Sequence, residues 1–121
     1  MATKAITKVD FIVDKDASLT FESIVMNMIH PLQSLSYQFV WDVGVVGIVD
    51  FYASIYPPPY KWEALVSCSN VCFNTADSAT ESEIISIPGL WLTAGYIKFI
   101  FTPDAGGSTG NMNVAQRVVP T

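Results

Sequence analysis

The stretch that most constrains the fold is residues 95–119. An aromatic and β-branched run leads through a glycine-rich loop into a second run, in which Met112 and Val114 alternate with asparagines. Two strand-forming runs around a loop that contains glycine are typical of a β-hairpin. The first run is apolar on both faces, as in a strand buried between two layers. This part of the chain therefore predicts an all-β protein closed by a long-looped hairpin.

The rest of the chain repeats the two-residue alternation of β-strands. It appears at residues 5–14, 35–43, 48–55 and 61–68, and it places Trp41 and Trp62 on inward faces. Residues 19–28 are ambiguous, because aspartate is a residue type that caps helices and Asp16 precedes them, but their β-branched residues favour a strand. About eight short strands separated by turns predict a single antiparallel β-sandwich of jelly-roll type, which spans residues 1–121 as one domain.

The composition points to contact with other subunits. Half of the residues are hydrophobic and 14% are charged, whereas about 25% is usual. A membrane-spanning helix needs roughly 20 consecutive apolar residues, and the best candidate, residues 43–56, is shorter and contains Asp50. No membrane span is predicted, so the apolar surface is expected to be covered in a homo-oligomer, with a trimer as the favoured order. The six basic residues are scattered and the net charge is −5, which argues against direct nucleic-acid binding.

The chain shows no convincing catalytic, metal or cofactor site. Residues 106–110 match the G-x-S-x-G pattern of a hydrolase nucleophile, but the single histidine, His30, precedes the serine instead of following it. Three residues separate Cys68 from Cys72, which is not the spacing of a redox or zinc motif. We therefore expect two reduced thiols, no cofactor and no enzymatic activity.

Two loops and one tryptophan are the candidates for interaction. Three successive prolines cannot donate hydrogen bonds within a sheet, so residues 56–60 are expected to form an exposed, polyproline-like connection. The glycine-rich loop after residue 103 is expected to be exposed, and so is the tryptophan beside Pro88 and Gly89. The candidates are Tyr56, Pro57, Pro58, Pro59, Tyr60, Trp91, Asp104, Gly106, Gly107 and Ser108.

Residues 35–114 carry a pattern of strands that resembles a known group of proteins. The pattern is Gln-Phe-Val-Trp-Asp at 38–42, a strand ending in Ser54, Lys-Trp-Glu-Ala-Leu at 61–65, and Gly-Tyr-Ile-Lys-Phe-Ile-Phe-Thr-Pro at 95–103, which leads to Asn-Met-Asn-Val at 111–114. It is similar to small structural proteins of bacteriophage virions. The resemblance implies a capsid cement, decoration, vertex or other minor capsid protein, or a tail appendage, located in the virion with its own subunits and other virion proteins as partners. The alternative is a host-adsorption module that binds a host glycan, with Trp91, Tyr56 and Tyr60 stacking on the sugar.

Overall fold

The computed structural model describes residues 8–27, 32–65, 71–74, 80–87 and 94–120. Within these ranges the secondary structure consists of strands and turns, without a helix. The ten strands are β1 (Lys8–Asp16), β2 (Phe21–Glu22), β3 (Met26–Asn27), β4 (Leu32–Asp42), β5 (Val46–Ser54), β6 (Glu63–Ala64), β7 (Val71–Asn74), β8 (Thr80–Ser86), β9 (Tyr96–Pro103) and β10 (Asn111–Pro120).

The strands form two antiparallel sheets, which confirms the predicted β-sandwich. The first sheet has four strands in the order β1-β10-β4-β8. The second has six, in the order β2-β9-β5-β6, with β3 also paired to β9 and β7 to β5. The pairing is nested, because β1 pairs with β10, β2 and β3 with β9, and β4 with β8.

The core lies between the sheets and is rich in aromatic rings. The predicted inward faces of β4 and β5 are confirmed, since Tyr37, Phe39 and Phe51 are at most 1% exposed. Phe99 of β9 joins them, with its ring centroid 5.2 Å from that of Phe39 and 5.5 Å from that of Tyr37. Offset and edge-to-face contacts of this kind contribute about 0.5–1.5 kcal/mol per pair beyond the buried area. These contacts connect the two sheets at the centre of the sandwich.

The hairpin prediction for residues 95–119 is wrong. β9 pairs with β5 in the six-stranded sheet, whereas β10 pairs with β1 and β4 in the four-stranded sheet. The glycine-rich loop therefore carries the chain from one sheet to the other. The second face of β9 is also less buried than predicted, because Tyr96, Lys98 and Ile100 are only half-buried.

Trp62 does not lie in the core. It is half-exposed and precedes β6, while Leu65 is fully buried and donates its backbone N–H to the Phe51 carbonyl oxygen. A shift of one position moves every side chain of a strand to the opposite face. The alternation around residue 62 was therefore assigned to the wrong face, whereas Trp41 is 5% exposed, as predicted.

The segments around the core strands match the predictions only in part. Residues 19–28 form strands, as favoured, but only as the two-residue β2 and β3.

Cys68 and Trp91 lie outside the described residues. Nowhere in the described ranges does a helix have the length and apolar character needed to cross a membrane.

Candidate functional site

Edge strand β1 exposes three apolar side chains on the outer face of the four-stranded sheet. Val9 is 45% exposed, Phe11 69% and Val13 66%; we call these three residues the β1 strip. The intervening Ile12 points inward and packs against the core. Within the described residues β1 has a partner strand on one edge only, β10. Its other edge therefore presents backbone groups that are able to pair with an additional strand.

The outer face next to the β1 strip carries little charge. The cross-strand register aligns Phe11 with Ala115, Gln38 and Ile84, and Ile84 is 66% exposed at the far edge. The parallel row that starts at Val9 contains Arg117, followed by two serines. Arg117 is thus the one charged side chain in these two rows. A face that mixes exposed apolar side chains with uncharged polar ones and carries little charge is typical of a surface that contacts another protein.

A bulge at Val13 and Asp14 interrupts the pairing of β1 with β10. The pairing register with β10 shifts between Ile12 and Lys15, and Asp14 adopts a positive φ of 51°. The backbone N–H of Asp14 donates to Asn113 Oδ1 over 2.8 Å, which satisfies a donor that the bulge removes from the ladder. The carboxylate of Asp16 then accepts hydrogen bonds from the N–H and hydroxyl of Ser18, and these bonds lower the pKa of Asp16.

The proline loop is exposed, as predicted, but its base is fixed. Tyr56 is 62% exposed and Pro57, Pro58 and Pro59 are exposed, while Tyr60 is half-buried. The buried Ser54 hydroxyl donates to the Tyr56 carbonyl oxygen and accepts from the Lys61 N–H, each over 3.0 Å. This pair of hydrogen bonds holds the two ends of the loop together.

An aromatic cluster forms where the proline loop meets the six-stranded sheet. The Tyr60 ring centroid lies 4.7 Å from that of Trp62 and 5.1 Å from that of Tyr96. Lys98 Nζ lies 4.7 Å from the Trp62 ring centroid and 2.8 Å from Glu22 Oε1. We call Tyr60, Trp62 and Tyr96 the aromatic cluster; it combines half-exposed rings with an adjacent ion pair.

The glycine-rich loop is tied down by a buried serine. Ser108 is only 6% exposed, and its Oγ accepts the backbone N–H of Val46 over 3.0 Å. Asp104, Gly106 and Gly107 are exposed, and Asp104 accepts hydrogen bonds from the backbone N–H groups of both glycines. Ser108 therefore has a structural role and is not available as a surface contact, contrary to the prediction.

The two predicted loops do not form one site. Ser54 pairs with Tyr96 at one end of the β5–β9 ladder, and Gly47 pairs with Pro103 at the other. At about 3.3 Å per residue, the ends of this ladder lie roughly 23 Å apart. The proline loop therefore joins the aromatic cluster, while the glycine-rich loop lies at the opposite end of the sheet.

Comparisons with known proteins identify a fold but no family. No family model matches the chain, and no curated protein matches it. Among solved structures, the crystal structure of SPBc2 prophage-derived protein YomS superposes with a TM-score of 0.52 at 16% identity, covering 98% of this chain and 99% of that one. The two chains share a fold.

Two further structures are less similar. A chain in the structure of infectious bursal disease virus Gx strain gives a TM-score of 0.37 at 14% identity, and 93% of this chain matches 33% of that one. The capsular polysaccharide assembling protein CapF from Staphylococcus aureus gives 0.30 at 16% identity, with 99% and 30% coverage. At these TM-scores neither similarity carries an argument.

The structure adds surface residues that the sequence did not single out. Phe11 and Val13 alternate as core residues do, and only the tertiary arrangement turns them outward. Trp62 and Tyr96 are 34 residues apart in the chain, yet the rings of both contact the ring of Tyr60. The one local signal was the presence of two aromatic residues at positions 60 and 62, which lie on the same side of an extended chain.

Proposed function

We propose that this protein is a non-enzymatic structural component of a virion. In this proposal it forms homo-oligomers through the β1 strip and attaches to the capsid lattice as a cement, decoration or minor capsid protein. The observation that carries the proposal is the β1 strip itself, three exposed apolar side chains on an edge strand. The end-to-end fold similarity to a prophage-derived protein supports the same reading.

Burial of the β1 strip provides the driving force for assembly. Covering the exposed parts of Val9, Phe11 and Val13 is worth roughly 3–5 kcal/mol per chain, at about 1.5–3 kcal/mol for each fully buried side chain. Association also costs translational and rotational freedom, so the trimer also needs the backbone pairing of the β1 edge and contacts from the rest of the outer face. Contacts between trimers on a lattice are further stabilised by multivalency. The proposed partners are other subunits, with a trimer as the favoured order, and neighbouring virion proteins.

We also assign the sandwich to the jelly-roll class. Joining β2 to β3 and β6 to β7 leaves eight strands among the described residues, and the first is paired with the last in the four-stranded sheet. Each later strand then pairs with the one at the same distance from the other end of the chain. This nested order is that of two Greek keys wound into a jelly roll, an architecture that capsid and lectin domains use.

The test is the mass of the purified protein by light scattering at low micromolar concentration. We expect the wild type to be a trimer and the double variant Phe11→Ser, Val13→Ser to be a monomer. Ile55→Ser is the matched control, because Ile55 is 78% exposed and lies at the end of β5, away from the strip; this variant should remain a trimer. A monomeric wild type, or a double variant with unchanged mass, would contradict the proposed interface.

The aromatic cluster supports a second candidate function, binding of a host glycan. Sugar rings pack their apolar C–H faces on aromatic rings, and the adjacent Lys98–Glu22 pair offers a donor and an acceptor to hydroxyl groups. Titration with oligosaccharides from the host surface should shift the Trp62 indole signal in NMR spectra. Binding should be lost in Trp62→Ala and retained in Phe11→Ala, which removes an exposed ring from the other sheet. No saturable shift of the indole signal would exclude the cluster as a glycan site.

A further inference from the structure

A cavity of about 430 Å³ lies between the two sheets, next to edge strand β1. Ile12 and Val114 line it from the four-stranded sheet, and Met26 and Phe99 line it from the six-stranded sheet. Phe11 and Ile24 also line it and are 69% and 87% exposed, so they mark its opening to solvent. Binding sites for small molecules usually have volumes of about 300–1,000 Å³. The cavity is therefore large enough for a ligand.

Tyr37 also lines this cavity and carries a polar atom without a partner. The side chain is 1% exposed, and its hydroxyl makes no hydrogen bond within the part of the chain that the structure describes. A buried hydroxyl of this kind is unusual, because buried polar groups almost always find a partner. Burial also raises the pKa of the Tyr37 hydroxyl, so it stays protonated and remains a donor.

The lining restricts the charge of a ligand. The lining residues include no acidic or basic side chain, and the polar ones besides Tyr37 are Ser23 and Gln116. The Ser23 hydroxyl accepts the backbone N–H of Phe99 over 2.9 Å, which fixes its position in the wall. An ionised ligand would lose its hydration without gaining a counter-charge, which is strongly unfavourable.

We propose that this cavity is a binding site for an uncharged, largely apolar molecule that carries one acceptor oxygen, such as a carbonyl. The acceptor oxygen takes the hydrogen bond of the Tyr37 hydroxyl, and the apolar body packs against Val114, Met26 and Phe99. Because the hydroxyl oxygen itself is buried behind the cavity wall, the wall moves on binding, and Met26 is its most adaptable side chain. An apolar cavity of about 150 Å³ already suffices to hold benzene, so this one accommodates a larger molecule. The site goes beyond the assembly role and does not depend on it.

Acetophenone and ethylbenzene form a matched pair of probes, since they have nearly the same size and only the former has an acceptor oxygen. Methyl NMR signals of Met26 and Val114 report binding directly inside the cavity. We expect both probes to shift these signals saturably, and we expect benzoate, which is anionic at pH 7, to bind at least about tenfold more weakly than acetophenone. In Tyr37→Phe the affinity for acetophenone should fall about three- to tenfold, while that for ethylbenzene is unchanged or increases.

A second pair of variants tests the location of the site. Val114→Phe adds bulk inside the cavity and should abolish binding of both probes. Val40→Phe makes the same change on the outer face of β4 and should leave binding intact. Absence of saturable shifts in the wild type, equal loss of both probes in Tyr37→Phe, or unimpaired binding in a folded Val114→Phe variant would each overturn the proposal.

Discussion

Replacing Tyr37 with phenylalanine should stabilise the protein, although it removes a polar group from the middle of the core. The Tyr37 ring contacts Phe39, Phe51 and Phe99, and phenylalanine keeps all of these contacts. What it removes is a hydroxyl that is buried without a hydrogen-bond partner among the described residues. Burying such a group costs about 1–3 kcal/mol, so the free energy of unfolding should rise by about this amount. Tyr52→Phe is the matched control, because Tyr52 is half-exposed on the outer face of β5, and its change should stay within about 0.5 kcal/mol.

The same hydroxyl makes a specific contribution to the pH dependence of stability. Burial raises the pKa of Tyr37 in the folded protein, whereas in the unfolded chain it is about 10. Above pH 10 the unfolded chain therefore releases a proton that the folded protein keeps, and stability falls as pH rises. The loss amounts to about 1.4 kcal/mol at pH 11. Tyr37→Phe lacks this contribution, so its advantage over the wild type should widen by that amount between pH 8 and pH 11.

Urea denaturation at pH 8 and pH 11 measures both effects, and groups common to the two proteins, such as lysines, cancel in the difference. The reasoning is refuted if Tyr37→Phe is less stable than the wild type at pH 8. It is also refuted if the difference between the two proteins does not change with pH. The first result would mean that the hydroxyl has a hydrogen-bond partner that stabilises its neutral form. The second would mean that the hydroxyl is hydrated in the folded state and titrates there as it does in the unfolded chain.

Three further predictions concern backbone positions and a turn. Gly47→Ala should lower the free energy of unfolding by about 2–3 kcal/mol, because a Cβ would lie 2.6 Å from the Phe101 ring and from a backbone oxygen of β9; urea denaturation measures the loss. Ser108→Ala should cost about 1–3 kcal/mol in the same assay, since it leaves a backbone N–H of β5 without its acceptor. The NMR titration midpoint of Asp16 should lie below its usual value and return toward it in Ser18→Ala, because the Ser18 hydrogen bonds lower the pKa of Asp16. The hydrogen bonds between Asp16 and Ser18 stabilise the folded protein when the pH is above the usual carboxyl pKa. This stabilisation is lost as the pH falls through the lowered pKa of Asp16.

The sequence predicts the central strands well because alternation there is strong and uninterrupted. The odd-numbered residues of β4 from Leu35 to Trp41 all point inward, as the pattern requires. The connection between β9 and β10 was predicted incorrectly, because two strands around a glycine-rich loop have the same local sequence whether they pair with each other or cross between sheets. The two cases differ only in long-range partners, and β5 and β1, which decide between them, are distant in the chain.

The candidate surfaces were harder to predict than the core for a related reason. Phe11 and Val13 flank Ile12, so both faces of this strand carry apolar residues, and the pattern gives no sign that Phe11 and Val13 lie on the outside of an edge strand. Around Trp62 the two-residue period was predicted correctly, but Trp62 was assigned to the inward face. The strand β6 is only two residues long, which is too short for alternation to show which face is buried. The exposed loop at residues 57–59 was easier to predict. Proline has no backbone N–H to donate, so three successive prolines are excluded from the interior of a sheet in any tertiary context.

The β1 strip and the cavity have a common structural cause. Opposite β1, the edge of the six-stranded sheet consists of β2 and β3, two residues each, and Ser23–Val25 between them are not part of a strand, although Ser23 hydrogen-bonds to Phe99 of β9. The sandwich is therefore incompletely closed on this side, where Phe11 and Ile24 are exposed at the mouth of the cavity. A neighbouring subunit that covers Phe11 would also cover the opening. Assembly should accordingly slow the entry of acetophenone but leave its equilibrium affinity intact, so its association rate should fall as protein concentration rises through the oligomerisation range. An association rate that is independent of protein concentration across that range would show that the interface leaves the opening free and lies elsewhere on the sheet.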